Sequence, residues 1–263
     1  MISYVSTHIE DRPRGRVARV TIDRPAKLNS LPREVMDALT GAFRSLAAEP
    51  DLRCAVLTGA GDKAFIGGAD IEQMAALASS AEARAFIEKV HGCCQAIRDL
   101  PVPVIARING YCLGAGLEIA AACDLRLASD HAVLGMPEVK LGLPSVVEAA
   151  LLPGLVGWGR ARWMLMTGET FSADDALRWG LVEAVYPAEE LDLAVDALIA
   201  ALLEPEPRAV RLQKALMQRW EELPITGAIQ AGIDAFEETF RDDAPRRAMA
   251  EFLDRRKAVK SGG

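Results

Sequence analysis

Two glutamates, Glu118 and Glu138, each follow a glycine-bearing stretch. The first stretch is Gly110-Tyr111-Cys112-Leu113-Gly114-Ala115-Gly116-Leu117-Glu118 and the second is Leu134-Gly135-Met136-Pro137-Glu138. A third glycine-bearing turn, Phe65-Ile66-Gly67-Gly68-Ala69-Asp70, lies upstream. Glycine lets the backbone approach a ligand closely and adopt positive φ. A helix that starts there exposes N–H groups with no intrahelical acceptor. Such amides opposite two carboxylates suit a reaction that builds negative charge on a carbonyl oxygen while protons move at the neighbouring carbons. Each feature also has a plainer reading. The Gly67-Gly68-Ala69-Asp70 turn is an ordinary strand-to-helix turn if Asp70 is simply an N-cap. Glu118, in the first turn of a helix, favours the helix dipole. Glu138, after a proline, reads as a solvated surface carboxylate. Gly114 and Gly116 also begin a dinucleotide fingerprint with Glu138 as its distal acid. The third glycine position is Ile119, however, and the stretch lies mid-chain rather than in an opening βαβ unit.

The elements that must position these residues follow from periodicity. Residues 16–22 alternate and read as a strand that Pro25 breaks. Pro32 opens an amphipathic helix through Val35, Leu39, Phe43 and Leu46, ending before Pro50. Residues 54–58 form a short apolar run before Gly59, a buried strand. A helix over 81–98, a buried strand over 103–108, a helix over 115–123 and a strand over 125–128 follow. Strands alternating with helices predict an α/β fold. Ser172 with Asp175 makes a capping box, and Gly180 ends that helix. A brief strand over 182–186 precedes helical patterns at 188–203, 207–220, 226–240 and 245–258. Pro205 and Pro207 mark the change. The expected division is an α/β core over 1–203 and a helical appendage over 204–263.

Composition narrows the class. The 263 residues are 51% hydrophobic and 25% charged, the globular norm. No apolar run approaches the roughly 20 residues of a membrane span, and the first sixteen residues do not read as a targeting peptide. The net charge of −7 argues against nucleic acid as a partner but leaves room for a local basic patch. Five cysteines include no CxxC pair, which points to a reducing, cytoplasmic compartment with small buried thiols. His8, His91 and His131 match no metal-ligand spacing. Trp158, Trp163, Trp179 and Trp220 read as packing residues.

The chain as a whole resembles the crotonase family, the enoyl-CoA hydratase/isomerase family. The resemblance rests on four motifs in order and covers almost the whole length. Arg24-Pro25-Ala26-Lys27-Leu28-Asn29-Ser30-Leu31 looks like the family's N-terminal substrate loop, and Ala64-Phe65-Ile66-Gly67-Gly68-Ala69-Asp70-Ile71 like its first oxyanion segment. Asn109 through Ala120, with the closing Cys123-Asp124, looks like its signature stretch, and Met136-Pro137-Glu138-Val139-Lys140-Leu141-Gly142 like its second acidic loop. The tail around Phe252 to Lys257 is similar to its terminal helix.

This resemblance implies a spiral core of repeated ββα units, a C-terminal helical trimerisation region, and a homotrimer or dimer of trimers. It implies an acyl-CoA thioester substrate and a lyase of acyl-CoA (fatty-acid) metabolism, with no metal or redox cofactor. The Ala69 and Ala115 amides would form the oxyanion hole. Glu118 and Glu138 would hold a water, Glu118 deprotonating it for attack at C3 and Glu138 exchanging a proton at C2. Two acids favour a hydratase over the family's isomerases. Ala26, Lys27, Leu28, Gly67, Gly68, Asp70, Ile71, Tyr111, Leu113, Gly114 and Leu141 would contact the substrate or its CoA, with Lys257 a further phosphate candidate. The alternatives are another crotonase reaction (isomerase, thioester hydrolase, decarboxylase or lyase) or a CoA-ester binding protein without catalysis. Two departures stand out. Many relatives carry glycine where Ala115 stands. Their glycine-rich stretch after Pro144 is here Ser145-Val146-Val147-Glu148-Ala149-Ala150-Leu151-Leu152, a bulkier run expected to line the acyl end of the pocket. Glu148 in that run reads either as an extra pocket acid or, by preference, as a helix-surface group.

Overall fold

The computed structural model describes residues 4–261, with side chains through Asp254. The Lys257 side chain lies outside the described residues. The chain divides into two units, one ending at Leu202 and one beginning at Leu203.

The first unit opens with strands β1 (Val5–Arg12) and β2 (Gly15–Ile22), paired antiparallel from Val5↔Ile22 to Arg12↔Gly15. Helix α1 (Arg33–Leu46) and strand β3 (Leu52–Gly59) follow. Next come β4 (Ala64–Ile66), α2 (Ile71–Ala75), α3 (Ser80–Asp99), β5 (Val104–Ile108), β6 (Tyr111–Leu113) and α4 (Ala115–Ala122). Then come β7 (Leu125–Ser129), β8 (Val133–Gly135), α5 (Leu152–Thr167), β9 (Thr170–Ser172), α6 (Ala173–Trp179), β10 (Ala184–Tyr186) and α7 (Leu191–Leu203).

Two sheets result. One has six strands in the order β1-β2-β3-β5-β7-β10, and the other four in the order β4-β6-β8-β9. Among the described residues, only the β1–β2 and β8–β9 strand pairs are antiparallel. The chain therefore coils. It runs through the large sheet, the small sheet and then a helix: β3–β4 before α2 and α3, and β5–β6 before α4. A third turn, β7–β8, precedes short 3-10 turns at Pro137–Leu141 and Val147–Leu151 and then α5. This repeated ββα coil is the expected fold.

Burial explains why the elements form. β3 is buried at every residue but one, as a parallel strand covered on both faces must be. α1 buries Val35, Met36, Leu39, Phe43 and Leu46 along one stripe. Ser79 caps α3 by accepting from the Glu82 amide at 3.2 Å. All eight residues of α4 are buried, and Glu118 is the one charged side chain among them. Gly116 allows that depth, since a Cβ there would sit 2.2 Å from the Ile66 carbonyl.

Beyond α5, to which the sequence reading assigned no element, three features depart from that reading. β1 was not anticipated because only Val5 and Ile9 interrupt its polar residues, and it is largely exposed at the sheet edge. β4, β6, β8 and β9 have three residues each, too few to show a period of two. Trp158 faces outward, 64% exposed, with the Arg162 guanidinium over its ring, so it does not pack as expected within this unit.

The second unit contains α8 (Pro207–Glu222), α9 (Ile225–Thr239) and α10 (Ala244–Ser261). Within it Trp220 donates from Nε1 to the Ala228 carbonyl at 2.9 Å. Among the described residues no helix is long and apolar enough to cross a membrane. Among them, too, no group of three or more His, Cys, Asp or Glu side chains is arranged to hold a metal ion.

Candidate active site

The first glycine turn leaves β4 and enters α2. The Gly67 amide donates to the Leu28 carbonyl at 2.8 Å, and a Cβ on Gly67 would come within 2.9 Å of that oxygen. Gly68 has φ +111, a conformation that L side chains rarely adopt. Leu31 then bridges Ala69 in parallel fashion, donating to the Gly68 carbonyl at 2.9 Å and accepting from the Asp70 amide at 3.1 Å. That pattern spends the bonds on either side of Ala69 and turns its own N–H away from the bridge. Asp70 is the N-cap of α2: its carboxylate accepts from the Gln73 amide at 3.1 Å and lies 3.5 Å from Arg24.

The second glycine turn leaves β6 and enters α4. Gly114 has φ +53, donates to the Gly135 carbonyl at 2.9 Å, and accepts from the Leu117 and Glu118 amides. Ala115 is the first helical residue, so its N–H has no intrahelical acceptor. Among the described residues neither the Ala69 nor the Ala115 amide has a hydrogen-bond acceptor.

The carboxyls come from different elements. Glu118 lies in the first turn of α4 and is 2% exposed, with Oε1 buried and without a hydrogen-bond partner. Burial pushes its pKa up to about 8, and the neighbouring Glu138 and Glu148 charges push the same way. Backbone amides at Ala149 and Val146 offset part of the rise. Glu138, half-buried in the Pro137–Leu141 turn, reaches the start of α4, where a Cβ on Gly114 would lie 2.5 Å from its Oε1. Its Oε2 accepts from the Ser145 hydroxyl at 2.8 Å.

Ala69, Ala115, Glu118 and Glu138 all line one cavity of about 380 Å³. Gly67, Gly68, Ile71, Leu113, Gly114 and Leu141 line it too. The rest of its wall is mostly apolar: Met74 and Leu77 at and beyond the end of α2, Phe86, Ile87 and Val90 from α3, and Leu143, Pro144 and Val146. Val146 makes the expected contribution of the altered stretch. The α3 residues were legible only as the apolar stripe of a helix, with no sign that one edge of the stripe faced a cavity.

Five expected contacts do not line the cavity. Ala26 and Lys27 sit in an exposed 3-10 turn, and the Lys27 ammonium pairs with Glu72 at 3.0 Å. Leu28 is occupied in holding Gly67. Asp70 is committed to its capping bond and to Arg24. Tyr111 is 42% exposed on β6. Glu148 corrects its preferred reading as a surface group. It is 7% exposed, and its Oε1 lies 2.7 Å from His91 Nδ1. All five cysteines are buried free thiols, and burial pushes Cys54 up to about 12 and Cys93 to about 11.

Known proteins share this architecture. The family model for enoyl-CoA hydratase/isomerase matches residues 12–262. A short-chain-enoyl-CoA hydratase of Clostridium acetobutylicum is 36% identical over 244 residues, spanning 92% of this chain and 93% of its own. A crotonyl-CoA hydratase of Syntrophomonas wolfei is 36% identical over 92% of this chain and 94% of its own. The crystal structure of an enoyl-CoA hydratase from Bacillus anthracis superposes with a TM-score of 0.89, at 30% identity over 96% of both chains.

Proposed function

This chain belongs to the enoyl-CoA hydratase/isomerase family, and from that membership we propose that it adds water across the 2,3 double bond of a 2-enoyl-CoA thioester. What supports the reading is that Ala69 and Ala115, whose amides have no acceptor among the described residues, line one apolar cavity together with Glu118 and Glu138. The thioester oxygen accepts from the Ala69 and Ala115 amides, which stabilise it as it becomes an enolate. One such donor is worth on the order of 10²–10³ in rate. Glu118 takes a proton from the water that attacks C3, and Glu138 delivers a proton to C2. The apolar wall from α3 and Val146 receives the acyl chain. The turn carrying Ala26, Lys27 and Leu28, together with Gly68 and Ile71, holds the CoA portion, with Lys27 leaving Glu72 for a phosphate.

Burial favours the protonated form of Glu118 in the free protein. From that state the reverse reaction starts directly: Glu118 protonates the departing hydroxyl while Glu138 takes the C2 proton. Hydration starts from the other arrangement, with the proton on Glu138. The same family membership makes a trimer or dimer of trimers the expected assembly, which sedimentation velocity reads directly.

Crotonyl-CoA is the first substrate to test, in keeping with the names of the two curated relatives. The conjugated enoyl-thioester absorbance falls on hydration, and the product gains the mass of one water. Absence of turnover with every short and medium 2-enoyl-CoA ester would refute the hydratase reading. Products of isomerisation, hydrolysis or decarboxylation in the same panel would replace it with another reaction of the family.

A further inference from the structure

Glu148 takes no part in the chemistry above, and it does not line the cavity. It sits in the Val147–Leu151 turn, which packs on α3, α4 and α5. Two observations show that this turn is held closed against a tendency to open. First, Val147 has φ +39, a left-handed conformation that a β-branched residue rarely adopts. Such a conformation persists only where the surroundings over-determine it. Second, the Glu148 side chain is only 8% exposed, and its Oε2 is buried without a hydrogen-bond partner. A buried carboxylate is costly unless something donates to it. Here the donor comes from α3: Glu148 Oε1 lies 2.7 Å from Nδ1 of His91, whose ring is 52% exposed. An imidazole protonated at Nδ1 donates to that oxygen whether the ring is neutral or charged.

The turn borders the candidate site. Val146, the residue before it, lines the cavity. The Ala149 amide donates to the Val146 carbonyl at 2.9 Å and closes the turn around Val147 and Glu148. The backbone amides of Val146 and Ala149 favour the anionic form of Glu118. Two adjacent thiols on α3 report on the turn from different sides. Cys94 is fully buried; burial, then the neighbouring Glu148 and Glu118 charges, raise its thiol well above the usual value. Cys93 is directed toward α1, where it donates to the Met36 carbonyl at 3.3 Å.

We infer that the His91–Glu148 contact is a clasp: it keeps the Val147–Leu151 turn closed, and so fixes Val146 in the cavity wall and the Val146 and Ala149 amides beside Glu118. The inference rests on the hydratase reading above. Without His91, the Glu148 carboxylate loses its donor, and outward movement hydrates it. The same movement relaxes Val147, so both effects open the turn. Val146 then leaves the wall, the two amides leave Glu118, and the cover over Cys94 thins. No proton passes through the pair. The turn requires of residue 148 only a side chain that is stable when buried. An apolar side chain of similar size meets that requirement with no partner at all. His91 and Glu148 act through the turn and are positioning residues.

The test uses the full-length protein and crotonyl-CoA. In His91→Ala, kcat falls roughly tenfold or more, the scale of a small displacement around a catalytic group. His91→Asn places an amide N–H donor where Nδ1 stood, and it keeps kcat within about threefold of wild type. The double variant His91→Ala with Glu148→Met regains kcat to the same extent, because nothing charged is left buried. Alkylation of the native protein with iodoacetamide, followed by peptide mass spectrometry, reads the turn without activity. Cys94 reacts about tenfold faster or more in His91→Ala, as expected of a local opening, and returns to the wild-type rate in the double variant, while Cys93 stays protected. Full kcat and unchanged Cys94 labelling in His91→Ala overturn the clasp. So does a double variant no better than His91→Ala. If His91→Ala is poorly folded, Glu148→Met alone decides. It retains kcat within about threefold if the clasp is right, and a tenfold loss overturns it. If wild type is itself inert toward 2-enoyl-CoA esters, the hydratase reading falls, and Cys94 labelling alone decides whether the pair holds the turn.

Discussion

Replacing Glu118 by glutamine should make the protein more stable while abolishing most of its activity, and the gain should depend on pH in a defined way. In the folded protein the Glu118 pKa is raised from the ordinary 4.5 to about 8, mainly by burial. Below pH 4.5 the carboxyl is protonated in both folded and unfolded chains, so it contributes no difference. Between 4.5 and 8 the unfolded chain ionises and the folded chain does not, and stability is lost as pH rises through the folded value. At about 1.4 kcal/mol per pH unit, the full cost above pH 8 is roughly 5 kcal/mol. Glutamine carries no such cost, but its amide has to be satisfied in the same dry site, which costs about 1–3 kcal/mol. The net gain is therefore about 2–4 kcal/mol at pH 8–9, and near pH 5 the variant is the less stable of the two. Urea unfolding at fixed protein concentration, repeated from pH 5 to 9 on both proteins, measures this difference. Hydration of crotonyl-CoA by the variant should fall by on the order of 10²–10⁴. A stability difference that does not change between pH 5 and 9 would refute the reasoning, because the buried acid would then titrate like an exposed one.

Three further substitutions separate the roles assigned here. Gly114→Ala combines φ +53 with a Cβ 2.5 Å from Glu138 Oε1, so it should displace that carboxyl and lower kcat at least tenfold, with a stability loss of about 1 kcal/mol or more. Steady-state kinetics and a thermal melt check both effects. Ser145→Ala removes the 2.8 Å donor to Glu138. It should cost about 1 kcal/mol of orientation, read as a several-fold fall in kcat at unchanged KM. Asp70→Ala removes the cap of α2 and the partner of Arg24. It should lower stability by about 1 kcal/mol and leave KM for crotonyl-CoA nearly unchanged, whereas a large rise in KM would restore Asp70 as a CoA contact.

The legible parts of this protein are those governed by residues close in sequence. The capping box of Ser172 and Asp175 and the αL glycine Gly180 sit where their local chemistry places them. α3 matches its periodicity to within a residue at each end. One end of the candidate site is likewise local. Ala115 and Glu118 lie within one helical turn, so an unpaired amide and a carboxyl at the start of one helix follow from residue types and spacing alone. Periodicity and caps are short-range, and they report which face of an element is apolar, not what covers it. What covers it was settled by tertiary contacts. The three-residue strands β4 and β6 exist because neighbouring strands pair with them. Glu138 meets Gly114 only because β8 lies beside β6. Glu148 reads as a solvated helix residue until α3 brings His91 to it. The raised pKa of Glu118 has the same origin. A carboxyl near a helix N-terminus would ordinarily be comfortable as an anion. Exclusion of water by distant segments and the approach of two other acids reverse that preference, and neither is encoded in the residues beside it.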